Sequence, residues 1–328
     1  MLNSDYVKFK DMEIGKSYCQ PALILDMEDR ITKNGKPFVA MKFTDGDSNI
    51  NANVFDQSVD DLNENGIDVE SIAEINIYLR TPYYNINSIS PNDDVSVSVS
   101  DFIRTIPEDI DTLYNNMMST ITNSECNAID SPFGLASLTW NIISENSEEF
   151  KRSAAGVSIH HNTIGGLLLH TAKMVSAADK LCDTYPCLDK ELLVCGAALH
   201  DIGKLKELKT SPLGKIEYTP EGRMLGHAML GIQMIDREIS KMPNIFDSAR
   251  VELLKHLIAS HHGQLEYGAI STPAIAEAEC LHALDMIDSR IYQYQDAERC
   301  TKPGELSSKI YGLENSTVFH PYDYDKPA

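Results

Sequence analysis

Residues that could bind metal ions recur at five places in the second half of the chain. In order they are His170, the dyad His200–Asp201, His227, the pair His261–His262, and Asp285. Neutral imidazole and carboxylate are good ligands for divalent first-row metals, and a carboxylate can bridge two ions. These seven residues are too many for one ion and about the number that two ions need. The series therefore predicts metal-assisted hydrolysis, with a phosphate ester as the favoured substrate.

The dyad ends an apolar segment, ELLVCGAALHDIGK, that has the pattern of a buried helix. Both side chains can converge on an ion beside the helix end. Gly203 is predicted to leave room for a ligand, and Lys204, one turn after His200, suits the charge that builds up on a phosphoryl oxygen. Asp201 and Lys204 are thus the catalytic candidates. A single such dipeptide would more often be a helix end with a capping aspartate and a solvated lysine.

The neighbours of the other candidates change that balance. His170 and His227 lie among small or apolar residues, where an unpaired imidazole is costly to bury. Asp285 lies in the apolar segment LHALDMID, and a lone buried carboxylate is costlier still unless it is paired or bound to a metal. One buried histidine is usually a hydrogen-bonded core residue, but five with two acids indicate a site.

Residues near the proposed ligands in sequence have two interpretations each. His160, His161 and His282 could contact the substrate or support the ligands, and the alternative is that they belong to the core or surface. Arg290 and Asp288 could orient Asp285 or meet a phosphate, and an ordinary salt bridge on a helix is the alternative.

Composition limits the classes of partner. The 328-residue chain is 42% hydrophobic, which predicts a packed globular protein. Its net charge of −21 repels polyanions at long range, so a nucleic-acid contact must be local or metal-mediated. No apolar run approaches the ~20 residues of a membrane helix, and the N-terminal segment has no secretory pattern. We therefore expect a cytoplasmic protein without a membrane partner, whose seven scattered cysteines are reduced.

The segment before residue 92 shows β-strand alternation. Strands are predicted at Ser17–Ile31, Lys36–Thr44, Asn49–Phe55, Ala73–Leu79 and Asn85–Ile89, with turns at Asn34–Gly35 and Asp45–Gly46 and a short helix around Gln57–Asn65. Three strands, a helix and two strands is the order of an OB-fold barrel. A small antiparallel barrel of another topology would give a similar pattern.

Alternation also predicts the faces of that barrel. Val39, Met41 and Phe43 are expected inside, and Ile50, Ala52 and Val54 share one face of the next strand. The outward set is Lys36, Phe38, Lys42, Asn51, Asn53 and Phe55. These side chains could stack on and hold the bases of a single-stranded nucleic acid. Packing of Phe38 and Phe55 against the second domain is the alternative.

From Ile106 onward the pattern is helical. The predicted helices are Pro107–Met118, Pro132–Glu145, Leu167–Leu181, Lys190–Ile202, Leu225–Met242, Ala249–His262 and Ile275–Tyr294. The tail after Lys302 is polar and without periodicity, which predicts poor order. The expected fold class is a multidomain α+β protein in which a small antiparallel β-barrel precedes an all-α helical bundle.

Five blocks of this chain resemble known sequences. They are IHHNTIGGLLLHT, AALHDIGK, YTPEGRMLGHAMLGIQMI, LLKHLIASHHGQLEYG and LHALDMIDSR. In this order they resemble the dinuclear HD-domain phosphohydrolases and, more closely, the YhaM-type 3′-to-5′ exoribonucleases. The resemblance covers about Phe9 to Arg290. It implies an OB-fold nucleic-acid-binding domain at 1–92, a linker and helical lead-in at 93–150, an HD domain at 151–300 and a polar tail at 301–328.

The resemblance also implies roles for single residues. His170, His200, Asp201 and Asp285 would hold one metal ion. Asp201, as the bridge, would hold the other together with His227, His261 and His262. Lys204 would contact the scissile phosphate. The histidine-rich set favours two ions of Mn²⁺, with Fe²⁺ or another first-row metal as alternatives, over Mg²⁺.

The sequence thus predicts a cytosolic nuclease that removes nucleoside 5′-monophosphates from the 3′ end of single-stranded RNA, or of single-stranded DNA. Relatives of this type suggest a homo-oligomer. One rival is an HD hydrolase of nucleotides or cyclic dinucleotides whose OB domain serves assembly. Another is a single-strand binding module with an inactive HD fold, which the complete ligand series disfavours.

Overall fold

Five strands close into a barrel in the N-terminal part of the chain. They are β1 (Ser17–Ile31), β2 (Pro37–Thr44), β3 (Asn49–Phe55), β4 (Ile72–Arg80) and β5 (Tyr83–Pro91), with the helix α1 (Val59–Glu64) between β3 and β4. The order around the barrel is β1-β2-β3-β5-β4, and β3 pairs with β5 in parallel while the other pairs are antiparallel. This is the OB-fold, as the strand order predicted.

The structure is a computed structural model that describes residues 6–46, 48–80, 83–103, 105–124, 134–156, 163–211, 216–242 and 245–322. The chain divides into two compact units, Met1–Arg104 with Ser211–Lys215 and Thr105–Thr210 with Ile216–Ala328. Within the described ranges, no helix has the length and apolar character needed to cross a membrane.

The long strand β1 lets the barrel close. Its first half pairs with β4 and its second half pairs with β2, and the register shifts between Ile24 and Asp26 where the two pairings meet. A bulge at such a place bends a strand and increases its twist. The predicted inward residues Val39, Met41 and Phe43 are buried, and they pack with Ile50, Ala52 and Val54 of β3 in one core. The predicted faces of both strands are therefore confirmed.

In its described residues the second unit consists mainly of helices, with one short hairpin. Its helices are α2 (Ile110–Asn123), α3 (Leu135–Glu145), α4 (Ser147–Arg152), α5 (Gly166–Thr184), α6 (Lys190–Leu199), α7 (Lys204–Glu207), α8 (Pro220–Lys241), α9 (Ser248–Ser260) and α10 (Ala276–Arg299). The hairpin pairs β6 (Leu208–Thr210) with β7 (Ile216–Tyr218) between α7 and α8.

Two predicted helix starts differ from the structure by three residues or more. Helix α2 begins at Ile110 rather than Pro107, because the Asp109 side chain accepts a hydrogen bond from the amide of Thr112 and caps the first turn. Helix α8 begins at Pro220 rather than Leu225, with Thr219 as its cap. The predicted start at Pro132 lies outside the described residues.

Helix α6 occupies the centre of this unit. Its residues from Glu191 to Leu199 are all buried, as expected for a helix that packs on every side. A Cβ atom at Gly196 would lie 2.5 Å from Cδ2 of Leu257, so this glycine lets α9 approach closely. The segment that follows α6 is therefore held on a rigid support.

The residues after Lys302 have a defined local structure up to Tyr322. Isolated bridges join Leu306 to Phe319 and Ile310 to Ser316, and Leu313 is fully buried against the end of α10. The prediction of poor order is wrong for this stretch, because a few apolar side chains in a polar sequence suffice to attach it to α10.

Candidate metal centre

The two members of the dyad are placed by the end of α6. His200 follows its last residue, and its Nδ1 donates to the carbonyl oxygen of Ala197 at 2.9 Å. This contact leaves Nε2 to face the site. The Oδ2 atom of Asp201 lies 3.3 Å from that Nε2 and 2.7 Å from Nζ of Lys204. Both dyad side chains are almost completely buried.

His170 comes from the second turn of α5 and is fully buried. Its Nδ1 lies 2.7 Å from Oδ2 of Asp288, and its Nε2 lies 3.1 Å from Nε2 of His200. The Oδ1 atom of Asp285, on α10, is 3.3 Å from the same Nε2. Three elements that are distant in sequence thus bring His170, His200 and Asp285 together.

His227 belongs to α8, which contacts the segment after the dyad. A Cβ atom at Gly203 would overlap the carbonyl oxygen of His227. Gly203 is therefore needed for the approach of α8, whereas the sequence had suggested that it makes room for a ligand. The Nε2 atom of His227 lies 3.5 Å from Oδ1 of Asp201. The two oxygens of Asp201 therefore point to different histidine clusters.

The pair His261–His262 follows the end of α9. His261 Nδ1 donates to the carbonyl oxygen of Ile258 at 2.7 Å, and its Nε2 lies 3.3 Å from Nε2 of His227. The rings of His261 and His262 have centroids 4.1 Å apart. The Nδ1 atom of His262 is buried without a hydrogen-bond partner. A buried ring nitrogen in this state is a natural metal ligand.

The donor atoms form two sets. In His170, His200 and Asp285, and in His227, His261 and His262, one ligand atom from each residue lies within 4.8 Å of the others. In both sets two Nε2 atoms face each other while the Nδ1 atoms of the same rings contact carboxylate or carbonyl oxygens, so neutral rings would direct two lone pairs at each other. The nitrogen and oxygen donors of these sets are of the type that binds divalent first-row metal ions.

Electrostatics differ between the two sets. Burial, with the nearby His262 and His200, holds the pKa of His261 well below its usual value. Burial and the neighbouring His227 also lower the pKa of His262. Both imidazoles are thus neutral near pH 7, and each keeps a lone pair for a metal ion.

His170 behaves in the opposite way. Burial lowers its pKa, but hydrogen bonds with Asp285 and Asp288 outweigh burial and raise the pKa to about 9. Burial opposes ionisation of Asp201, yet Lys204 and His200 outweigh it and hold the pKa of that carboxyl well below its usual value. Without a bound metal ion, a protonated His170 partly neutralises the negative charge of Asp201, Asp285 and Asp288.

The accessory candidates are placed less uniformly. His282 Nδ1 donates to the carbonyl oxygen of His261 at 2.9 Å, so it supports the turn after α9. Asp288 contacts His170, whereas the sequence had paired it with Asp285 or a phosphate. Arg290 lies apart from them and bonds Glu314 at 3.2 Å. His160 and His161 lie outside the described residues.

On the barrel, the predicted outward residues share one face. Phe38 pairs with Phe55 across β2 and β3, with ring centroids 5.7 Å apart. Lys42 pairs with Asn51 on the same two strands, and Asn53 lies between these pairs. Lys36 precedes β2 and is exposed. A polar face with two aromatic rings is thus available on this unit.

Sequence reasoning missed Glu207, the last residue of α7. Its Oε2 lies 3.1 Å from Nδ1 of His227. No local signal in the sequence links these residues, which are 20 positions apart. The approach of α8 to α7 creates the contact, and only the tertiary structure reveals it.

Comparison with known proteins identifies the family of this chain. Residues 167–290 match the HD domain family. The chain is 31% identical to the 3′-5′ exoribonuclease YhaM of Bacillus subtilis over 312 residues, covering 94% of this chain and 96% of that protein. It is 30% identical to the 3′-5′ exoribonuclease YhaM of Listeria innocua over 318 residues, covering 95% of this chain and 97% of that protein. The chain therefore belongs to the family of the YhaM 3′-5′ exoribonucleases.

Proposed function

We propose that this protein is a metal-dependent 3′-5′ exoribonuclease. Its relatives bear that name, and an HD domain implies dependence on divalent metal ions. The observation that best supports the chemistry is the position of Asp201, whose two oxygens face different histidine clusters. A carboxylate in this position suits a pair of ions that share one substrate phosphate.

The proposed ligands are the six residues of the two sets and Asp201, which would bridge the two ions. His170, His200 and Asp285 would hold one ion, and His227, His261 and His262 the other. Five imidazoles in one centre favour Mn²⁺ or Fe²⁺ over Mg²⁺. When bound, two such ions would supply an activated water and offset negative charge on the phosphate.

The protein's own residues would position the reacting groups. Lys204 is held by Asp201 at the edge of the centre, and its side chain is largely buried. Its ammonium could approach a non-bridging phosphate oxygen and stabilise the charge that develops there. The proposed product is a nucleoside 5′-monophosphate released from the 3′ end of single-stranded RNA, and single-stranded DNA is a second candidate substrate.

The outward face of the barrel is the proposed contact for the rest of the strand. Phe38 and Phe55 offer stacking surfaces, and Lys36 and Lys42 offer local positive charge in a chain of net charge −21. Base stacking on aromatic side chains is tolerant of sequence. Such a face would retain a substrate whose long-range approach the net charge opposes.

Self-association in the cytoplasm completes the proposal. Helix α10 exposes Ile287, Ile291 and Tyr294 at helical spacing, and a second copy of the chain could cover them. Light scattering after size exclusion would give the mass, and a mass of one chain at micromolar concentration would contradict self-association.

The described cysteines are free thiols, as a reducing compartment requires.

The test is degradation of an oligoribonucleotide labelled at its 5′ end, incubated with the protein and Mn²⁺. Stepwise shortening from the 3′ end supports the proposal. Cleavage confined to free nucleotides or cyclic dinucleotides would support the rival hydrolase. Tight binding of the strand without turnover in Mn²⁺, Fe²⁺ or Mg²⁺ would establish a binding module instead.

A further inference from the structure

Helix α8 is interrupted one residue before His227. Gly226 has φ 71° and ψ 157°, a conformation outside the helical region that glycine adopts at little cost. A Cβ atom at this position would meet nothing within 4 Å, so the backbone conformation, rather than crowding, calls for glycine. The interruption breaks the helical ladder and leaves the amide of His227 at the start of a new helical segment.

One carboxylate receives both donors of His227. The main-chain amide of His227 donates to Oε1 of Glu207 at 3.2 Å, and Nδ1 of the ring lies 3.1 Å from Oε2. Glu207 is itself fixed on both sides. Its amide donates to the carbonyl oxygen of Gly203 at 2.9 Å, and its carbonyl accepts from the amide of Thr219 at 2.9 Å. The carboxylate therefore caps the second segment of α8 and orients the ring in the same contact.

This contact fixes the tautomer of the ring. An ionised carboxylate only accepts hydrogen bonds, so the proton of a neutral His227 must reside on Nδ1. The lone pair is then on Nε2, which lies 3.3 Å from Nε2 of His261 and 3.5 Å from Oδ1 of Asp201. Nε2 is the atom that the proposed centre requires as a ligand.

We propose that Glu207 is a positioning residue that makes His227 a competent ligand of the second ion. The inference rests on the proposed function, because it takes His227 as a ligand. Residues that hold the far nitrogen of a metal-bound histidine typically change metal affinity by 10–100-fold when replaced. Glu207 does more than hold the ring, since it also determines where the peptide of His227 lies after the kink.

Two of the other histidines provide an internal comparison. His200 and His261 are oriented by the main-chain carbonyls of Ala197 and Ile258, which no side-chain substitution removes. His227 depends on a side chain that belongs to a different helix. Replacement of Glu207 should therefore weaken one ion selectively and leave the set around His170 intact.

Glu207→Gln is the sharpest variant. Its amide oxygen can still accept from the main chain of His227, but its NH₂ group donates towards Nδ1 and favours the wrong tautomer. The matched control is Glu238→Gln on α8, the helix of His227, where a buried glutamate pairs with Lys241 at 2.7 Å. Mn²⁺ titration without RNA, followed by the EPR signal of free Mn²⁺, measures each affinity.

We expect two ions in the wild type and in the control. In Glu207→Gln one of the two ions should lose 10–100-fold in affinity while the other is unchanged. Two ions bound with wild-type affinity by Glu207→Gln would overturn the inference and leave the proposed function standing. Failure of the wild type to bind a second ion would instead refute the proposed centre.

A second measurement covers the case in which the variant does not fold. In the metal-free wild type, the ¹⁵N shifts of His227 report which ring nitrogen carries the proton. We expect the proton on Nδ1, where it is donated to the carboxylate of Glu207. A ring protonated on Nε2 alone would overturn the role of Glu207.

Discussion

Binding of a divalent ion to the metal-free protein should release close to one proton at pH 7, and His170 should be its source. Asp285 and Asp288 raise the pKa of His170 to about 9, so the ring is almost fully protonated at neutral pH. A metal ion needs the lone pair on Nε2 and must expel that proton. Each pH unit below 9 should weaken the apparent affinity about tenfold, or about 1.4 kcal/mol. At pH 7 this set should bind about 100-fold more weakly than at its plateau.

Calorimetric titration with Mn²⁺ measures this release. The titration is repeated at pH 7.0 in two buffers of different ionisation enthalpy, and the difference in observed heat gives the number of protons. The same measurement at pH 7.5 and 8.0 gives the slope of affinity against pH. Asp288→Asn, which removes one of the carboxylates that raise the pKa of His170, should reduce the release. An affinity that is independent of pH, with no proton released at pH 7, would refute the assignment.

Three further outcomes follow from the geometry. Asp201→Ala should lower turnover by more than the roughly 100-fold loss that follows removal of a residue that only supports a metal ligand. The circular dichroism spectrum should remain that of a helical protein. Wild-type activity of the variant would contradict the bridging role of Asp201. The double substitution Lys36→Ala and Phe38→Ala should weaken the binding of long strands by about 1–3 kcal/mol in a filter-binding assay. Cleavage of short substrates should be unchanged. An equal loss of long-strand binding and short-substrate cleavage would exclude the barrel as a contact for the strand. Gly203→Ala should lower the free energy of unfolding, measured in urea, by about 1–3 kcal/mol, because its Cβ atom would meet main-chain atoms of α8. The control Gly231→Ala should leave this free energy nearly unchanged. Equal effects of the two substitutions would contradict the close packing at Gly203.

Alternation along β2 was enough to predict the barrel interior. Val39, Met41 and Phe43 are buried as expected, because one face of a barrel strand must be apolar. The order of strands and helix then selected the OB-fold. The start of α8 was predictable too, since Thr219 and Pro220 form a cap signal that apolar periodicity alone overlooks.

Contacts that depend on tertiary packing could not be predicted from the sequence. Gly203 looked like space for a ligand, yet it accommodates a carbonyl of another helix. Glu207 had no signal at all, because the kink at Gly226 and the crossing of α7 with α8 create its partners. Residue type predicts what a side chain can bind, but the neighbour it finds depends on helices that are distant in sequence.

The central claim is that the seven metal-ligand residues, which are far apart in the sequence, form one dinuclear centre. Anomalous diffraction from crystals grown with Mn²⁺ tests it most directly. The account predicts two peaks, one bound by His170, His200 and Asp285 and one by the three remaining histidines, each about 2.0–2.3 Å from its ligands and both next to Asp201. A single peak, or peaks away from Asp201, would contradict it.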